Sequence, residues 1–182
     1  MVILILTLRL ISVRTVALTN ASLEDQDTKL LNRRAFEEEK ARLMASSLDE
    51  NFVYVTADIN GLKTANDTLG HAAGDELICG AAACMRKCFG RFGKVFRIGG
   101  DEFTAMLHIS DAQLEEVRQE LDSAISGWEG ERIKKLSVSF GYASAREFPS
   151  ENIAELSRIS DERMYAAKSE YYRSSGIDRR KT

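Results

Sequence analysis

Two strand-like runs, Lys94 to Ile98 and Phe103 to Ile109, are joined only by Gly99-Gly100-Asp101-Glu102. A link that short imposes an antiparallel hairpin, because parallel neighbours need a crossover of a dozen or more residues. Two acids then stand at the hairpin tip. Taken alone, a turn of this composition is more often plain and solvated than functional. Its meaning depends on what the rest of the chain brings beside it.

The β-rich run Phe52 to Ala57 delivers one further acid, Asp58, at its end. Before it, Asn32 or Arg33 opens a helix with Phe36, Leu43, Met44 and Leu48 on one face, closed by Asp49-Glu50-Asn51. After it, Gly61 and Gly70 bracket a short helix, Leu62 to Leu69, and Asp75 stands as the expected N-cap of a helix from Glu76 to Phe89. Asp111 is expected to cap a helix whose core face carries Leu114, Val117, Leu121 and Ile125. Ile133 to Tyr142 alternates as a strand does, and Ile153 to Tyr172 reads as the last helix. The order predicts an α+β fold, a central, largely antiparallel sheet flanked by helices. In such a sheet the end of the first strand and the hairpin tip lie side by side, so Asp58 is expected next to Asp101 and Glu102.

Bulk properties bound the function. The chain has 182 residues, of which 44% are hydrophobic, enough for one domain with one sizeable core. A net charge of -3 gives no basic field for nucleic acid, so any phosphate must be held by a few placed groups. Cys79, Cys84 and Cys88 crowd one apolar stretch without His or Cys at metal spacing and read as buried reduced thiols. Residues 1–20 form a separate connector segment. Its apolar run is interrupted by Arg9 and Arg14 and is too short to span a bilayer, and it lacks the basic start of a secretory signal. Helix and strand both remain open for it. Residues 21–176 form the expected domain and 177–182 a tail.

Carboxylates gathered from neighbouring strands hold Mg²⁺, a hard cation that favours oxygen ligands and substrate phosphates. Two such ions about 4 Å apart activate an attacking hydroxyl and steady a leaving group. Gly99 and Gly100 let the backbone approach phosphates closely. The block from Asp58 to Asp75 adds Lys63 and Asn66, three apart on one helix face, with Lys63 suited to a phosphate. An amide and a carboxylate, Asn66 and Asp75, suit the donors and acceptor on the edge of guanine.

Together these clusters resemble the GGDEF domain family, the diguanylate cyclases that condense two GTP into cyclic di-GMP. The likeness runs from about Asp25 to about Tyr172. It rests on Asn32-Arg33-Arg34-x-Phe36, the block from Asp58 to Asp75, Arg97-x-Gly99-Gly100-Asp101-Glu102-Phe103, Ser139-x-Gly141 and Asp161-x-x-Met164-Tyr165-x-Ala167-Lys168. The resemblance implies a palm-like, nucleotidyl-cyclase fold with a ferredoxin-like core. It implies metal binding by Asp58, the main-chain carbonyl of Ile59 and Asp101, for two Mg²⁺ (or Mn²⁺) per site, with Glu102 in support. Asp101 would also help deprotonate the 3′-hydroxyl. Asn66 and Asp75 would read guanine, and Lys63 and Lys168, with Gly99 and Gly100, would meet phosphates. It further implies catalysis by a homodimer, an upstream sensor domain in a longer parent protein, and a cytoplasmic location even if that parent is membrane-anchored.

Three departures stand out. Where the family usually has Asp-x-Leu-Thr-Gly, this chain reads Asp25-Gln26-Asp27-Thr28-Lys29. Gly90 and Gly93 occupy the positions of the Arg-x-x-Asp product-inhibition site, so feedback there is not expected. Tyr172 stands where many relatives have an Arg four residues after Lys168, with Arg173 as the candidate replacement. Two other readings stay open: a retired domain that binds GTP as a regulatory module, and another palm-like nucleotidyl cyclase or polymerase.

Overall fold

A computed structural model describes residues 23–175. The expected connector, 1–20, and tail, 177–182, lie outside the described residues. In chain order the elements are α1 (Arg33–Met44), β1 (Phe52–Ile59), α2 (Leu62–Leu69), α3 (His71–Phe89), β2 (Gly93–Gly99), β3 (Glu102–His108), α4 (Asp111–Ser126), β4 (Val138–Ser144) and α5 (Ile153–Ser175).

The strands form one sheet in the order β2-β3-β1-β4, with every neighbouring pair antiparallel. This is the expected α+β, ferredoxin-like core. Central β1 is buried along its whole length, because helices cover both faces and erase the polar alternation. One face buries Val53, Val55, Ala57 and Ile59 together with α3 and α4 residues such as Leu77, Met85 and Leu121. The other buries Phe52 and Tyr54 with Phe36 of α1 and Leu156 of α5.

Several boundaries move, each for a local reason. Helix α1 begins as expected, with the Asn32 side chain accepting from the Ala35 amide at 3.1 Å, but ends at Met44. Leu43 takes the core direction and leaves Met44 61% exposed, off the expected apolar face. Helix α3 starts at His71, so Asp75 lies in its second turn and is not its cap. The small residues Ala73 and Gly74 carry the helix back into the angle against α2. Ser110, not Asp111, caps α4, in a reciprocal box with Gln113. Strand β4 starts only at Val138. The amides of Glu131, Arg132 and Ile133 are taken by the Glu76 carboxylate, so this stretch donates to a side chain instead of a strand. Cys84 and Cys88 are buried and free as expected, whereas Cys79 is exposed.

The Asp25–Lys29 departure has a clear shape. Lys29 sits at φ 58°, the one non-glycine residue with positive φ among the described residues. That conformation costs a side-chain-bearing residue about 1 kcal/mol or more. Lys29→Gly is therefore expected to raise stability by about 1 kcal/mol, less some unfolded-state entropy, read as a higher urea midpoint.

Candidate active site

The sheet register brings the two acidic strands together. Asp58 of β1 pairs with Glu102 of β3 on one side and Ser139 of β4 on the other. The Ile59 amide donates to the main-chain oxygen of Asp101 at 3.2 Å, locking the hairpin tip to the end of β1. Gly100, at φ 53°, turns the chain there. Asp58 is 7% exposed. Burial pushes its carboxyl above the usual carboxylate range, a hydrogen bond from Lys168 opposes this, and the charges of Asp101 and Glu102 reinforce it. Buried, crowded negative charge of this kind calls for a cation. The Lys168 ammonium, reaching in from α5, donates to the Asp58 carboxylate.

On the far side of the sheet end, α2 and α3 carry the other expected cluster. The Asn66 side chain lies directly on Gly74, where a methyl group would fall 2.0 Å from its amide oxygen. Glycine at 74 thus makes room for the amide and sets it beside the next residue, Asp75, which is exposed. Lys63 is exposed on the first turn of α2.

The hairpin tip is braced from behind by residues whose partners the local pattern did not reveal. Arg97 donates to the Gly100 carbonyl at 3.2 Å and to the carboxylates of Asp25 at 3.1 Å and Asp27 at 3.4 Å. The acid at position 27 thus gives Arg97 a second anionic partner. Burial alone would raise the Asp25 carboxyl, but hydrogen bonds from Thr28 and Arg97 hold it below its usual range. Arg33 donates to the Ile98 carbonyl at 2.9 Å. Asn60 is buried, with its amide nitrogen donating to Ser137 and its oxygen accepting from Ser139, both at 2.9 Å, which fixes the backbone after Ile59. Arg173, the candidate replacement, pairs with Glu170 on the surface. Tyr172 instead turns inward and its hydroxyl accepts from the Gly61 amide at 3.4 Å, holding the start of α2. Gly93 pairs with Leu107 so closely that a methyl group would lie 2.1 Å from the Met106 carbonyl oxygen.

Among the described residues, no three His, Cys, Asp or Glu side chains converge on one metal position. A hard-cation site here would have to complete its shell with main-chain and substrate oxygens, an arrangement Mg²⁺ commonly accepts. No described helix is long and apolar enough to cross a membrane.

Comparison with known proteins gives the family and the fold. The family model described as "Diguanylate cyclase, GGDEF domain" matches residues 22–173. Diguanylate cyclase DgcM of Escherichia coli is 30% identical over 163 residues, covering 84% of this chain and 38% of that protein. Cyclic di-GMP phosphodiesterase PdeB of Shewanella oneidensis is 33% identical over 150 residues, covering 79% of this chain but only 17% of that protein. The solved coiled coil and GGDEF domain of DgcB from Caulobacter crescentus, in complex with c-di-GMP, superposes with a TM-score of 0.77 at 23% identity, covering 90% of this chain and 89% of that one.

Proposed function

This chain belongs to the GGDEF domain family of diguanylate cyclases, and from that premise we propose that it is a competent catalytic half-site condensing two GTP into cyclic di-GMP and two pyrophosphates. The observation that carries the proposal is the meeting of Asp58, Asp101 and Glu102 at one sheet end, with Asp58 buried and its charge crowded by the other two.

In this reading Asp58, the Ile59 main-chain carbonyl and Asp101 hold Mg²⁺, for which Mn²⁺ can substitute, and Glu102 supports them. Mg²⁺ held by these groups would supply charge neutralisation at the α-phosphate and a lowered pKa of the attacking 3′-hydroxyl. Asp101 accepts the hydroxyl proton as the oxygen closes on the α-phosphorus and pyrophosphate leaves. Lys63 and Lys168 steady the phosphates above Gly99 and Gly100. Asn66 and Asp75 read the guanine edge. Each chain holds one GTP while the product contains two, so a second copy must face the first. Residues 1–20 would serve as the connector to an upstream sensor, in a chain working in the cytoplasm where GTP is found. With a methyl group already excluded at Gly93, a product-binding acid has no room there and feedback through that position is not expected.

The direct test is incubation with GTP and Mg²⁺, chromatographic detection of cyclic di-GMP, and Asp101→Ala and EDTA as controls. Product from the parent chain, lost in both controls, is expected; GTP binding without product would support the retired-module reading. Asp75→Ala is expected to reduce preference for GTP over ATP by about tenfold or more in competition binding, because the carboxylate that accepts from the guanine edge is lost. Unchanged preference would mean that guanine is read elsewhere.

A further inference from the structure

We propose that Lys168 is a displaceable latch on the cation position at Asp58, held by that carboxylate until nucleotide phosphates draw it away, so that cation and nucleotide binding are coupled through one side chain. The inference rests on the cation site proposed above and adds a role that phosphate contact alone does not require.

The Lys168–Asp58 pair is largely shut off from water, with the two side chains 16% and 11% exposed. An ammonium group and a divalent cation seek the same carboxylate oxygens. At about 4 Å their mutual repulsion is too strong for both to stay, even in a partly wet site. Something must move, and the backbone is not free to do so. Two turns before Lys168, the Ser160 hydroxyl donates to the Gly141 carbonyl at 2.9 Å and accepts from the Thr56 amide at 2.8 Å. One turn after Lys168, Tyr172 is buried and tied to the Gly61 amide. Helix α5 is thus anchored to β1 and β4 on one side of Lys168 and to the start of α2 on the other. What remains mobile is the four-carbon lysine stem, a flexible arm carrying a point charge. A polyphosphate lying on the hairpin tip offers that charge a new anionic partner. The arm then leaves Asp58 open, and by linkage each ligand favours the other.

The latch predicts an unusual sign, since removing a positive phosphate-binding residue should improve binding of a bare cation. Mn²⁺ alone, without nucleotide, is titrated into the full chain and its Lys168→Met, Lys168→Gln and Asp58→Asn variants, followed by calorimetry and by the Mn²⁺ paramagnetic signal. Both lysine variants are expected to bind Mn²⁺ about tenfold more tightly than the parent. Their melting temperatures should also rise more on adding Mn²⁺, a readout that serves even if Lys168→Met lowers the starting stability. Asp58→Asn should abolish binding. Equal or weaker Mn²⁺ affinity in both lysine variants, with Asp58→Asn still abolishing it, overturns the latch alone. Retained affinity in Asp58→Asn overturns the cation site and the latch together. Neither outcome depends on whether cyclic di-GMP is made.

Discussion

Gly141→Ala is expected to lower stability by about 3 kcal/mol, at the upper end of what overpacking a close contact costs. Gly141 lies on β4 opposite Thr56, where α5 crosses the sheet. A methyl group there would fall 1.9 Å from the Ser160 carbonyl oxygen and 2.5 Å from the Met164 amide nitrogen. Both obstacles are backbone, so no rotamer change relieves them and the helix itself must lift. Lifting it breaks the Ser160 bridge to Thr56 and Gly141, and with it the placement of Lys168 two turns on. The substitution should therefore lower the urea midpoint and loosen the Asp58–Lys168 contact together. An unchanged midpoint would mean that α5 is not seated on β4 as described.

Asp58→Asn is expected to reduce cyclic di-GMP formation about 10³-fold, the loss that follows when several kcal/mol of metal-borne charge stabilisation disappear. The replacement has the same shape, so the pairings of residue 58 with Glu102 and Ser139 should survive. What is lost is the negative charge that burial and two neighbouring acids have made hungry for a cation. Steady-state rates at saturating GTP, compared with GTP affinity, separate this from a folding effect: the rate should collapse while guanine recognition through Asn66 and Asp75 persists. A variant retaining near-parental turnover would remove Asp58 from the chemistry.

Much of the fold was legible because short links and glycines constrain the chain locally. The Gly99–Glu102 turn allows only a hairpin, Gly61 and Gly70 bracket α2, and the β-branched run before Asp58 reads as a strand. What escaped depends on long-range partners. Nothing near Ile133 reveals that Glu76, more than fifty residues earlier, will take its amide and delay β4. Asp75 resembles a cap, yet the packing of Ala73 and Gly74 begins the helix a turn sooner. Asp111 resembles one too, but Ser110 has Gln113 three residues on to complete a box. Of the candidate site, the acids, the glycines, Asn66 and Asp75 were visible as residue types at telling spacings, and Lys168 only through the family resemblance. The braces behind them were not: Asp27 became visible as a partner of Arg97, and Tyr172 as a partner of Gly61, only once the chain was folded. The Thr56–Asp161 hydrogen bond at 2.8 Å gives the first residue of the Asp161–Lys168 motif a reason it lacked in one dimension.

The central claim, that two copies of this site join two GTP, is tested most directly by the dependence of cyclic di-GMP formation on protein concentration. With GTP and Mg²⁺ in excess, product per chain should rise with concentration as faced pairs form and then level off. Adding the inactive Asp101→Ala chain should depress the rate by taking parental chains into dead pairs. A rate per chain independent of concentration and untouched by the inactive chain would contradict the account, as would the absence of cyclic di-GMP at every concentration.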